Sequence, residues 1–131
     1  MTFAVTDNDQ MRLEQTTQLI KDVFPDCVIH TFTDPMLSAK YALEPQVDAV
    51  FAELRMRPAD GFDLLHVLRV NRPRLPVFLI SDDAVLREVA LRKGASEYLV
   101  RPLSAQRLLD AVYGETARIT KQNSMSLRVG G

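Results

Sequence analysis

At 131 residues the chain has the length of one domain, since domains commonly run roughly 100–200 residues. Lys and Arg total 16 and Asp and Glu total 17, a net charge of −1, which excludes the basic excess that whole-domain binding to nucleic acid or to an anionic membrane requires. The single cysteine, Cys27, makes neither an internal disulfide nor a zinc cluster, and the lack of a basic leader or long apolar run predicts neither signal peptide nor membrane span, hence a cytoplasmic protein.

Short apolar runs alternate with longer amphipathic ones. Thr2–Thr6 reads as a first strand, ended by the polar cluster Asp7, Asn8, Asp9. Gln10–Phe24 reads as a helix, with Leu13, Thr16, Ile20, Val23 and Phe24 on one face and Asp9 or Asn8 as N-cap. Pro25 ends it. Cys27–Phe32 predicts a β-branched strand, and Met36–Leu43 a short helix after the break at Asp34 and Pro35. Val47–Ala52 is an almost continuous apolar run, the mark of a strand buried on both faces. A loop and a helix over Gly61–Val70 follow.

Val77–Ile80 predicts the fourth strand, and Ser81, Asp82 and Asp83 cap a helix running to Lys93, with Gly94 as its stop. Tyr98–Val100 predicts a short fifth strand. Ser104 caps a last helix through about Gln122, and Asn123–Gly131 reads as a flexible tail or the start of a linker after a domain over residues 1–122.

Five strands alternating with five helices imply an α/β fold, a parallel sheet covered on both faces. In such folds ligand chemistry sits at the carboxyl ends of the strands. The residues there are Asp7, Asn8 and Asp9 after the first strand, Glu53 after the third, Ser81 after the fourth and Arg101 after the fifth. Carboxylates bind a hard cation, a hydroxyl donates to an oxyanion and a fixed cation neutralises it. The set points to a phosphoryl or metal site.

The blocks around these residues carry a resemblance. An apolar strand ending in Glu53 precedes Met56, Pro58, Asp60 and Gly61. A second strand ends in Ser81. Gly94, Ala95, Tyr98, Leu99, Arg101 and Pro102 form a third block. Order and content resemble the receiver domains of two-component response regulators over about residues 2 to 121. The resemblance implies a flavodoxin-like, doubly wound sheet of order 2-1-3-4-5 and a cis peptide at Arg101–Pro102. It also implies a phosphorelay role, with Ser81 and Tyr98 as switch positions and Asp7 and Asp9 in the acidic pocket.

This sequence departs from the family at four points. Glu53 stands where the phosphoacceptor Asp is usual, and Arg101 where Lys is usual. Thr6–Asp7 stands where an acidic pair is usual, and Arg57 is inserted between Met56 and Pro58. Magnesium demands near-octahedral oxygen geometry, so with Asp7 and Glu53 as remaining side-chain ligands its binding is expected to be weak or absent. Glu displaces its carboxylate by about one methylene, and a misplacement of ~1 Å costs in-line transfer on the order of a hundredfold. The expectation is therefore a non-enzymatic receiver in which Glu53, paired with Arg101 and bonded by Ser81, either imitates the phosphorylated residue or is the charged remnant of a decayed site at a wet edge.

By the same resemblance the partner surface is the fourth helix, fifth strand and fifth helix: Ala84–Lys93, Glu97–Val100 and Leu103–Tyr113. A second copy of the chain or a histidine kinase is a candidate partner. Two other readings stand beside this one: a weak but working phosphoacceptor, and a flavodoxin-like small-molecule binder, which the lack of a Gly-rich first turn disfavours. His30 and His66 have no ligand partners at metal spacing, His66 reads as a helix residue rather than a phosphodonor, and Cys27 reads as core.

Overall fold

The computed structural model describes residues 1–114. The tail at 123–131 and the end of the last helix near Gln122 lie outside the described residues. The element order is β1 (Thr2–Thr6), α1 (Gln10–Val23), β2 (Val28–Phe32), α2 (Pro35–Ala42), β3 (Ala49–Glu53), α3 (Gly61–Asn71), β4 (Val77–Ser81), α4 (Arg87–Arg92) and β5 (Glu97–Val100). A final helix, α5, begins at 105 and continues to the end of the described residues at 114. The strands pair in parallel in the order β2-β1-β3-β4-β5, the doubly wound arrangement that alternating elements and right-handed crossovers dictate.

Strand alternation sorts the core into two layers. Ala4, Val50, Ala52, Val77, Leu79 and Tyr98 pack against Ala39 and Ala42 of α2, Leu64, Leu65 and Leu68 of α3, and Ala90 of α4. Phe3, Val5, Phe51, Phe78, Ile80 and Leu99 pack against Leu13 and Ile20 of α1 and Leu108 and Val112 of α5. Phe24, Phe3, Phe51 and Phe78 form a continuous row, with successive ring centroids 5.6, 5.4 and 5.0 Å apart. Cys27 is a buried free thiol in this second layer.

The helix ends follow their local chemistry. Asp9 caps α1 by accepting from Arg12 N–H at 3.0 Å. Asp34 caps α2, and Pro35 sits in its first turn, where a missing N–H costs nothing. Asp60 and Asp63 form a reciprocal capping box on α3, and Ser104 Oγ accepts from Arg107 N–H at 3.1 Å to start α5. Gly94, at φ 106°, closes the chain after α4, a conformation that strains any residue with a Cβ.

Two boundaries differ from expectation by more than one residue. β3 begins at Ala49, because Val47 N–H is drawn back to Glu44 O at 3.1 Å. Its last residue is Glu53 itself, so that side chain springs from the strand and not from the loop. α4 begins only at Arg87, although Ser81, Asp82 and Asp83 read as its cap. Asp83 Oδ1 instead accepts from Val85 N–H at 3.1 Å, and Asp83 O accepts from the Tyr98 hydroxyl at 2.8 Å. A local side-chain turn of this kind competes with helix. The segment Ala84–Lys93 is therefore a turn followed by a helix of six residues.

Candidate functional site

The carboxyl ends of β1, β3 and β5 bring three side chains together. Asp7 and Glu53 are both almost fully buried, and the Arg101 guanidinium lies between them, with Nη2 2.6 Å from Glu53 Oε2 and 3.5 Å from Asp7 Oδ2. Arg101 Nη1 also reaches the exposed Asp82 at 3.2 Å. The Arg101–Pro102 peptide is cis, as is Arg57–Pro58. Glu53 Oε1 accepts from Arg55 N–H at 3.2 Å. Its Oε2 meets Arg101 as an ion pair without an aligned hydrogen bond. Burial pushes the Glu53 carboxyl above its usual range; Arg101 and the Arg55 N–H pull it down, and Asp7 adds to the rise.

A fourth member, Arg12, escaped the sequence reading. Its Nε and Nη2 donate to Asp7 Oδ2 and Oδ1, each at 3.0 Å. The hydrogen bond to Asp7 is the foremost cause driving the guanidinium's pKa up, against the opposing pull of desolvation. The available signal was spacing: an acid at a strand end, an N-cap two residues on, and an arginine three residues after the cap.

Two expected contributions take another form. Asp9 stands outside the pocket: it is exposed, its carboxylate caps α1, and only its backbone N–H reaches Asp7 Oδ1, at 2.9 Å. Ser81 is buried, but its Oγ has no hydrogen-bond partner, so it does not donate to Glu53. In β3 and β4 the register sets Glu53 beside Ile80, and one residue further Ser81 falls on the opposite face. Thr6 also points away, its hydroxyl sharing a hydrogen bond with Ser38 of α2. An acid at position 6 would face α2, and the exposed Asn8 donates through Nδ2 to Arg57 O at 3.4 Å.

Tyr98 is fully buried in the layer under α2, α3 and α4, with its hydroxyl on Asp83 O. A chain of contacts joins it to Glu53. Glu53 accepts from Arg55 N–H, Arg55 Nη2 pairs with Asp83 Oδ2 at 2.9 Å, and the Asp83 carbonyl holds Tyr98. This route passes around Ser81. Gly61 permits the close approach of α3 to the site, because a Cβ there would fall 2.8 Å from Glu53 O and 2.8 Å from Leu54 Cα.

His30 is exposed on β2, its ring 4.8 Å from that of Tyr41, and His66 is exposed on α3. Among the described residues, no group of three or more His, Cys, Asp and Glu side chains is arranged to hold a metal ion, and no helix is long and apolar enough to cross a membrane.

Comparison with known proteins finds the same fold and family. A family model described as the response regulator receiver domain matches residues 3–113. Among solved structures, a response regulator receiver domain protein from Clostridium thermocellum superposes with a TM-score of 0.82 at 22% identity, covering 92% of this chain and 98% of that one. The receiver domain of the sensor histidine kinase PA1611 from Pseudomonas aeruginosa, described with a magnesium ion in its active-site cleft, superposes with a TM-score of 0.74 at 17% identity, covering 85% and 93%. Among curated proteins, the Pseudomonas aeruginosa response regulator FleR is 45% identical over 65 residues, 48% of this chain and 14% of that protein. The probable transcriptional regulator TcrX of Mycobacterium tuberculosis is 27% identical over 135 residues, 99% of this chain and 57% of that protein. The chain thus spans well under two-thirds of the length of these curated relatives.

Proposed function

The chain belongs to the response regulator receiver family of two-component signalling, and on that premise we propose that it is an atypical receiver whose site is closed by its own ion pairs. In this reading it signals through protein contact and does not take a phosphoryl group in the ordinary way. The observation that carries the reading is the 2.6 Å approach of Arg101 to Glu53.

A phosphoacceptor must present a free carboxylate oxygen in line with the incoming phosphorus, since phosphoryl transfer depends on positioning and charge stabilisation. Glu53 is held at both oxygens: Oε1 by a backbone N–H and Oε2 by Arg101. The side-chain residues do not fit magnesium either. Only two buried carboxylates converge, and both already face guanidinium groups. No step through a metal is assigned.

The Glu53–Arg101 pair instead sets a negative side chain against a fixed cation, an arrangement that imitates a modified acceptor with one charge where a phosphate monoester carries about 1.5–2. Its readout runs through Arg55 and Asp83 to the buried Tyr98, whose carbonyl accepts from Arg87 Nη1 at 3.0 Å at the surface of α4, β5 and α5. That surface offers a partner both apolar and charged contacts. Val85, Leu91 and Tyr113 are exposed, and a groove of about 370 Å³ is lined by Arg87, Glu97, Leu99, Arg107 and Asp110. A second copy of the chain, a histidine kinase or an output protein is the class of partner proposed.

Incubation with a small acyl phosphate and magnesium, read by intact mass, tests the reading. The expected result is no gain of a phosphoryl group on the wild type and only slight labelling of Glu53→Asp, in which both arginines remain. Stoichiometric labelling of the wild type at Glu53 or Asp7 would establish a working phosphoacceptor and overturn the reading.

A further inference from the structure

We propose that Arg12 is the resident cation of the acidic pocket: its guanidinium takes the Asp7 oxygens that a divalent metal would need, keeps the site balanced without one, and its removal opens the pocket to a divalent cation. The proposal rests on the reading above for the identity of the pocket and adds the residue that closes it.

The first support is the satisfaction of Asp7. An ionised carboxylate offers about four acceptor directions. Oδ1 takes Arg12 Nη2 at 3.0 Å and Asp9 N–H at 2.9 Å; Oδ2 takes Arg12 Nε at 3.0 Å and has Arg101 Nη2 at 3.5 Å. Every direction has a donor, and three of the four come from arginines. A metal ligand would have to shed at least one of them. The planar fork also explains why an arginine suits this place, because its two N–H groups match both carboxylate oxygens at once, as a lysine ammonium cannot.

The second support is the position of Arg12 on its helix. It lies in the first turn of α1, which contains no acidic residue. A cation there meets the positive end of the helix dipole, an unfavourable placement on its own. The carboxylate it forks is only 3% exposed while the arginine is 33% exposed, so the pair settles the buried charge of Asp7 more than it anchors the arginine. Asp9 holds the Arg12 backbone N–H at 3.0 Å, which fixes the root of the side chain beneath its target.

The experiment is a titration of the full chain with magnesium chloride and manganese chloride through the millimolar range. It is followed by amide shifts of Asp7, Asp9 and Glu53, with manganese broadening as a second signal, and by the thermal midpoint. Wild type is expected to stay flat. Arg12→Gln is expected to gain a saturable response centred on Asp7, with affinity raised on the order of tenfold or more once the competing charge is gone. Arg12→Lys, which keeps charge and loses the fork, should stay closer to wild type. A saturable wild-type response in the low millimolar range overturns the proposal, as does a folded Arg12→Gln that remains as flat as wild type. Should Arg12→Gln fail to fold, Arg12→Met, which keeps the aliphatic stem and removes the charge, is titrated in its place and read by the same two outcomes. Metal binding by wild type without phosphoryl labelling sinks this inference and leaves the previous one standing; labelling without a metal response does the reverse.

Discussion

Arginines gather at both edges of the sheet, and they do different work at each. At the edge where strands begin, Arg72 Nη1 donates to three carbonyls, Ala42 O at 2.9 Å, Glu44 O at 2.8 Å and Val47 O at 3.0 Å. Beside it Arg69 donates to Gly94 O and Leu75 O, each at 2.7 Å. At the edge where strands end, Arg12 and Arg101 meet the carboxylates of Asp7 and Glu53. The first pair satisfies neutral backbone acceptors and staples loops to the fold. The second pair balances buried charge, so its state depends on protons and on any cation that competes. One edge carries hydrogen bonds to neutral carbonyls and the other carries paired charges.

Breaking the first edge should have the largest effect. Arg72→Ala is expected to cost about 2–3 kcal/mol, because hydrogen bonds from a charged donor are lost and partly buried carbonyls at the end of α2 and the entry to β3 are left unpaired. Urea unfolding should show the midpoint falling with little change in slope, and the loss should be the same with or without magnesium. A loss that varied strongly with pH near neutrality would show that the stapling edge is electrostatic after all.

A smaller effect separates capping from the site itself. Asp9→Ala should cost about 1 kcal/mol through loss of the α1 N-cap, since its side chain accepts from Arg12 N–H. The amides of Glu53 and Arg101 should barely shift. Large shifts there would place Asp9 back among the pocket acids.

The sheet and most helix ends were legible in the sequence, because apolar runs, caps and a glycine stop are local signals; the carbonyl contacts of Arg69 and Arg72 were not, since they join segments far apart in the chain. Val77–Ile80 has to be a buried strand, and Gly94 has to close α4, whatever surrounds them. The α4 start was misread because Asp83 looks like a cap in sequence, while in space its carboxylate serves Val85 and Arg55 and its carbonyl serves Tyr98. Glu53 and Arg101 were found from the strand ends, since parallel topology alone sends those residues to one edge. Arg12 was not, because nothing local says that a first-turn arginine folds back onto the preceding strand. The separation of Ser81 from Glu53 was equally hidden: side-chain alternation in two neighbouring strands decides it, and a one-residue offset reverses the face.

The smallest effect is also the sharpest test of the responsive edge. Burial raises the Glu53 carboxyl above its ordinary 4.5, so the folded chain holds that proton more firmly than the unfolded one. The linkage sign follows: stability contributed by the protonated form is fully present below the unfolded value and is lost as pH rises through the folded value. Glu53→Gln carries no such proton, so the stability of wild type minus that of Glu53→Gln should decline as pH climbs from about 4.5 toward neutrality. Removing one partner of a buried ion pair is costly when it strands the other charge, but Arg101 is partly exposed and is not stranded here, so at neutral pH the two should lie within about 1 kcal/mol. Arg101 keeps Asp7 and Asp82. The same substitution weakens the hold on Arg55, so the Tyr98 ring signals and any association through α4, β5 and α5 should change although stability hardly does. A difference that rises with pH would mean that Arg101 outweighs burial and draws the Glu53 carboxyl below its ordinary value. An unchanged Tyr98 with unchanged association would reduce the pair to a silent contact at a wet edge.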